Sequence, residues 1–237
     1  MSAARLQPPS WAIAFVAATT FNNRLVAYPW DTGDPDRNWQ GYFIPGTHVL
    51  RNRVGATTPA ELRDAENDLV EARVVELREN PKLLAPRSYD LRLLQAVHRH
   101  LFQDVYDWAG DVRTVGIEKG DESFCPPGSI GQPMDHIAAE IYRLNQLSTV
   151  ADTDLPRTVA YLYDYVNFAH PFREGNGRAT REFFNLLLSE RGNGLDWNQT
   201  DVSELHTACH TARAEGDLTG LTRMFANIID TDPGYNF

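Results

Sequence analysis

The residues from His170 to Arg181, HPFREGNGRATR, bring several kinds of chemistry into one short stretch. Gly175-Asn176-Gly177 lies directly before an amphipathic run. Two glycines and an asparagine permit positive φ and close backbone approach, so their N–H groups can converge at the positive end of a helix dipole. That arrangement suits a polyphosphate. Arg178 and Arg181 are three positions apart and share a helix face from which both can reach outer phosphates. Basic residues at a helix start oppose the dipole by about 0.3–1 kcal/mol each, which points to an anionic partner. Glu174, beside the nest, is suited to hold Mg²⁺ through one or two oxygens while phosphates complete the shell. His170 is the group that accepts a proton near neutral pH. Singly, each residue has a plainer use: a G-N-G turn, solvated arginines, a histidine that ends a helix, a glutamate paired with a neighbouring arginine. The combination carries the reading.

Helices must position this loop. Pro156 suits a first helical turn, and Val159, Leu162, Tyr163, Val166 and Ala169 then fall on one face, leading into His170. A second helix is expected from about Gly177 to Glu190, stopped by Gly192. Upstream, Thr58-Pro59-Ala60-Glu61 combines a capping box with proline at the first helical position. Leu62, Ala65, Leu69, Ala72 and Val75 are the inward row expected of that helix. Another helix is expected from Ser88, with Leu91, Leu94, Val97 and Leu101 inward, and others over 131–147, 201–215 and from Asp217. His98 and His100, two apart, point different ways on their helix. The strand signal lies in Arg113 to Glu118, with Gly120-Asp121 as a turn before Ser123-Phe124-Cys125. A short β-hairpin of this kind reads as a binding flap. Residues 28–47, rich in Pro, Gly, Asp and aromatics, read as an irregular surface segment. The expected fold is an all-α bundle with one hairpin.

Composition bounds the function. With 42% hydrophobic and 23% charged residues, the chain has the make-up of a soluble globular protein. Its net charge of −10 argues against a protein that holds nucleic acid by neutralising phosphates. The two cysteines, Cys125 and Cys209, form no C-x-x-C arrangement, which fits a reducing cytoplasm. No run approaches the roughly 20 apolar residues that span a membrane. WAIAFVAA at 11–18 has the apolar character of a short signal-peptide core, but residues 1–27 read instead as a disordered N-terminal extension.

The assembled loop resembles the signature of Fic proteins, H-x-F-x-[D/E]-G-N-G-R-x-x-R, at each specified position: His170, Phe172, Glu174, Gly175, Asn176, Gly177, Arg178 and Arg181. The stretches at 42–53, 102–110, 116–125 and 216–221 resemble the bacterial filamentation-type members of that family. The resemblance covers roughly 28–237.

The resemblance implies one Fic domain over 28–237, a helical bundle around a central helix–loop–helix, with its active-site loop at 170–178 and its flap at 113–125. It implies ATP and Mg²⁺ as cofactors and the transfer of AMP to a Tyr, Thr or Ser hydroxyl of a target protein. In that scheme His170 is the base, Phe172 anchors the loop and Glu174 binds the metal. Gly175, Asn176 and Gly177 hold the α- and β-phosphates, and Arg178 and Arg181 the outer phosphates. Gly116, Ile117, Glu118 and Lys119 belong to the flap that aligns an extended target segment. A related Doc-type kinase has lysine near the second glycine; Gly177 here favours AMP transfer. The other alternative is a non-catalytic ATP-binding or interaction module. Such proteins are often restrained by a glutamate in an [S/T]-x-x-x-E-[G/N] helix. Thr211 to Gly216 fits that pattern through Glu215, but the resemblance is rather to the toxin class restrained by a separate small antitoxin. The same class points to a gyrase or topoisomerase IV subunit as target.

Overall fold

Thr58 begins the first long helix as the sequence dictates. Its hydroxyl accepts from the Glu61 N–H at 3.2 Å, the Glu61 carboxylate accepts from the Thr58 N–H at 3.1 Å, and Pro59 opens the helix. The computed structural model describes residues 28, 32–80, 82–119 and 122–230. The extension expected at 1–27, the tail at 231–237 and the hairpin tip at Gly120-Asp121 lie outside the described residues.

In chain order the elements are α1 (Pro35–Gly41), α2 (Pro59–Glu79), α3 (Leu91–Phe102), β1 (Glu118–Lys119), β2 (Glu122–Ser123), α4 (Gly131–Arg143), α5 (Leu155–Ala169), α6 (Asn176–Ser189), β3 (Gly194–Leu195), α7 (Val202–Glu215), α8 (Thr219–Ile228) and β4 (Ile229–Asp230). The two antiparallel pairs are β1 with β2 and β3 with β4. The fold is the expected helical bundle with a small hairpin. At its centre stand α5 and α6. Around α5 pack α4, α6, α7 and α8, while α3 packs on α6 and on α2. The apolar row read on α5, Val159, Leu162, Tyr163, Val166 and Ala169, is buried throughout. Buried polar groups on α6 are paired rather than stranded: Glu182 takes Arg78 of α2 at 2.7 Å, and the Asn185 side-chain oxygen accepts from the Trp197 indole at 3.0 Å.

Three expectations need correction. The α2 row is rotated: Ala72 is exposed and Val75 is 48% exposed, while Leu62, Glu66, Val70 and Leu77 face inward. The buried row is apolar at Leu62, Val70 and Leu77, and Glu66 joins it with Arg178 and Tyr106 as partners. The strand expected over Arg113 to Glu118 is limited to Glu118–Lys119, because the Arg113 N–H binds Pro171 O at 2.8 Å and the chain there pairs with the loop. Finally, the segment at 28–47 contains α1, begun by Asp34, whose side chain accepts from the Asp36 and Arg37 N–H groups, and by Pro35. That is the same N-terminal signature as at Thr58.

The capping box yields a direct expectation. Thr58→Ala lowers stability by about 1 kcal/mol, or about 2–4 °C in Tm for a chain of this size, in thermal or urea unfolding. An unchanged midpoint would place α2 stability in its packing alone.

Candidate active site

Helix α5 ends at His170, which takes the left-handed conformation (φ 40°, ψ 59°) and returns its N–H to Val166 O at 3.2 Å. Pro171 cannot continue the helix, so the chain leaves it here. The His170 ring lies on Phe124, centroids 3.7 Å apart and planes 19° from parallel. Its Nδ1 is 3.3 Å from the Asn167 carbonyl. A carbonyl accepts only, so Nδ1 carries the hydrogen and the ring lone pair sits on Nε2.

Phe172 next drives the loop into the core. It is fully buried, with its ring stacked 3.9 Å from His98. Burial of such a side chain stabilises by about 1.5–3 kcal/mol. Asn176 then closes the loop: its side-chain oxygen accepts from the Phe172 N–H at 2.8 Å and its amide donates to Phe172 O at 2.7 Å. Glycine is obligatory at 175, where φ is +79° and an added Cβ would fall 2.3 Å from the Phe102 ring. At 177 neither backbone nor packing requires it, since an added Cβ meets nothing within 4 Å. What the missing side chain leaves there is room at the start of α6.

No side chain caps α6 and its first turn holds no acidic residue. By contrast α1, α2, α3 and α7 are capped by Asp34, Thr58, Asp90 and Asp201. Arg178 and Arg181 both line a cavity of about 450 Å³ between α2, α6 and Trp197. The Arg181 guanidinium lies 5.3 Å over the Trp197 ring, and no carboxylate among the described residues pairs with it. Arg178 pairs with Glu66. Glu174 is exposed beside the loop and accepts from the Gly175 N–H at 3.0 Å through Oε1. A carboxylate so placed, next to a site for phosphate oxygens, fits the few-ligand manner in which Mg²⁺ is held. The flap has Gly116 and Glu118 exposed and Ile117 half-buried, and the backbone of Lys119 stands opposite that of Glu122 in the strand register. Neither hairpin strand has a second neighbour among the described residues, so an edge is open to another strand.

Several residues that hold this site have no place in the sequence reading. Arg113 is 1% exposed and donates to four backbone carbonyls: His170 at 2.7 Å, Val115 at 2.6 Å, Cys125 at 2.5 Å and Ala169 at 3.4 Å. It joins the end of α5 to both arms of the flap. Arg173 is gripped by the N-terminal segment, 3.9 Å over Trp39 and 5.2 Å from Phe43. Burial pushes both guanidinium pKa values down. His98, dismissed in sequence by its spacing from His100, is fully buried under the loop. Its Nδ1 accepts from the Gly110 N–H at 2.8 Å, so Nε2 donates to Glu174 O at 2.9 Å. The glycine of Trp108-Ala109-Gly110 was its one legible partner.

The end of α5 at His170, a braced turn and the uncapped start of α6 with Arg178 and Arg181 make up one candidate site on a helical bundle. Residues 88–188 match the model of the Fic/DOC family. The chain is 32% identical over 188 residues to the "Probable protein adenylyltransferase Fic" of Salmonella typhimurium, covering 79% of this chain and 91% of that relative. It is 35% identical over 186 residues to the "Probable protein adenylyltransferase y4lH" of Sinorhizobium fredii, covering 78% and 93%. Among solved structures it is similar to the BepC protein of Bartonella tribocorum with bound AMPPNP, at TM-score 0.72 and 25% identity, over 80% of this chain and 96% of that one. This chain belongs to the Fic/DOC family.

His98 sets a pH limit on the loop. Burial holds its pKa down to about 3, so the folded chain declines a proton that an unfolded histidine accepts. The stabilisation is complete above the unfolded pKa of about 6.5 and is lost as pH falls from there towards the folded value, by roughly 2 kcal/mol at pH 5. Urea unfolding at pH 7.5 and 5 measures this, and His98→Gln should flatten the difference by that amount. An equal difference in H98Q would assign the acid loss to other groups.

Proposed function

We propose that this chain transfers AMP from ATP to a hydroxyl side chain of another protein. The observation that supports the reading is the short join between His170 at the end of α5 and the start of α6, which no side chain caps. The names of the relatives and the AMPPNP bound by BepC support it.

In this reading the N–H groups at Gly175, Asn176 and Gly177 receive the α- and β-phosphates, that of Gly175 on exchanging its Glu174 acceptor for phosphate. Asn176 contributes through its backbone, because its side chain is committed to Phe172. Arg178 and Arg181 hold the outer phosphates. The target hydroxyl oxygen attacks the α-phosphorus and its proton passes to His170 Nε2. The bond from that phosphorus to the bridging oxygen breaks, and pyrophosphate leaves. Positioning and neutralisation of charge supply the acceleration. Glu174 would hold Mg²⁺, which when bound neutralises phosphate charge. The flap at Gly116, Ile117, Glu118 and Lys119 aligns the target segment by adding it as a strand to the hairpin.

The finer reading follows the family resemblance: a cytoplasmic toxin-type enzyme, a gyrase or topoisomerase IV subunit as target, and a separate antitoxin whose glutamate meets Arg181. Glu215 is exposed at the end of α7, a helix that packs on α5 and α8, which favours a restraint supplied from another chain. No helix among the described residues is long and apolar enough to cross a membrane.

His170→Ala should abolish labelling of target by ATP carrying its label on the α-phosphate, while ATP binding stays within about twofold of the parent, since the ring holds no phosphate in this scheme. Undiminished labelling by the variant would sink the mechanism. Transfer of γ-label by the parent chain would replace it with phosphotransfer. The same α-labelling in a bacterial lysate, followed by mass spectrometry, identifies the target; a modified protein other than a type II topoisomerase subunit would overturn the finer reading.

A further inference from the structure

The geometry points to Glu66 as the positioning residue for the outer-phosphate arginine Arg178, an inference that rests on reading the loop as a nucleotide site. Glu66 lies on the buried face of α2 at 7% exposure, where an apolar side chain would be expected. One carboxylate oxygen accepts from Arg178 Nη2 and the other from the Tyr106 hydroxyl. Tyr106 is itself locked, its ring 4.2 Å from Trp108 and stacked with Phe102.

Two roles are open to such a carboxylate. A plug that occupies the arginine until phosphate displaces it must be able to move away. An anchor that fixes the arginine before phosphate arrives must not. Glu66 is held on both oxygens, sits on a helix whose start is capped, and is walled by the aromatic floor, so it is an anchor. The guanidinium is constrained on two sides, by Glu66 at Nη2 and by the Phe102 ring 4.8 Å below. Only part of its donor set is engaged there, and Arg178 still lines the cavity shared with Arg181. The carboxylate also offsets the repulsion between Arg178 and the positive start of α6 while no anion is bound. A pre-set fork loses less freedom when it meets phosphate than a mobile one.

The test uses Glu66→Gln, which keeps an oxygen for Tyr106 and removes the charge. Binding of ATP, ADP and AMP is measured by calorimetry on the parent chain, E66Q, Arg178→Ala and the double variant. If the parent chain binds no nucleotide, the site reading itself fails, separately from this inference. With parent binding present, E66Q should weaken ATP and ADP by about tenfold and leave AMP, which lacks outer phosphates, within about twofold. Added to R178A, it should weaken ADP no further. Equal affinity for ADP in E66Q and parent, tighter ADP binding, an equal loss for AMP, or a loss that persists in the R178A background each overturns the assignment.

Discussion

A single buried cation, Arg113, fixes the relation between the two halves of the site. A guanidinium at 1% exposure with no carboxylate beside it among the described residues must find its compensation in dipoles. It finds it in four carbonyls, two of them at the end of α5, where the helix dipole presents its negative pole. Charge-assisted bonds of this kind contribute about 1.5–3 kcal/mol each, so the arrangement offsets a burial penalty of several kcal/mol. The consequence is geometric. The flap arms at Val115 and Cys125 and the carbonyl of His170 share one donor. A shift of the flap would strain bonds from the same guanidinium that holds the carbonyl of His170.

The second half of the site obeys the opposite electrostatics. Where α5 ends, its carbonyls take a cation from inside the protein. Where α6 begins, the Glu174 carboxylate takes the Gly175 N–H and no side chain caps the helix itself. Between them the loop is stiffened by apolar contact and neutral hydrogen bonds: Phe172 against His98, Asn176 closed on Phe172, and neutral His98 holding the Glu174 carbonyl. A charged residue in place of His98 would be buried under a site that must attract anions on electrostatic grounds set elsewhere. The loop is therefore held from beneath by neutral groups, and Arg178 and Arg181, which follow it on α6, line the cavity.

The loop chemistry was legible because it is local. His170, Glu174, the glycines and the arginines lie within a few positions of one another, and their spacing alone reports a shared face and a nest. The helices were legible for the same reason, through caps and period. What escaped is long-range. Arg113 meets His170 across 57 positions, His98 meets Glu174 across 76 and Arg178 meets Glu66 across 112. No local pattern distinguishes such an arginine from the first residue of a strand, or such a glutamate from one on a solvated face. The misplaced row on α2 came from following Ala72 and Val75, which fit the period, when Val70 and Leu77 with Leu62 form the buried apolar row and Glu66 joins them.

The start of α6 departs from the rules of local consistency, and its departures share one sign. A missing cap forgoes about 1 kcal/mol, and arginines near a positive helix end add about 0.3–1 kcal/mol each. Uncapped starts occur elsewhere in this bundle, at α4, α5 and α8, so the missing cap alone decides nothing. At α6 it coincides with a glycine that no packing contact demands and a second arginine that no carboxylate among the described residues pairs with. Each departure is relieved by the same thing, negative charge at the N-terminus. Glu66 supplies part of it to Arg178 from inside the fold. The remainder, at the N–H groups, amounts to about 1 kcal/mol that an anion bound there would offset. Ligand binding at this site should therefore consolidate the loop as well as fill it, since the free energy of binding to the folded state adds to that of folding.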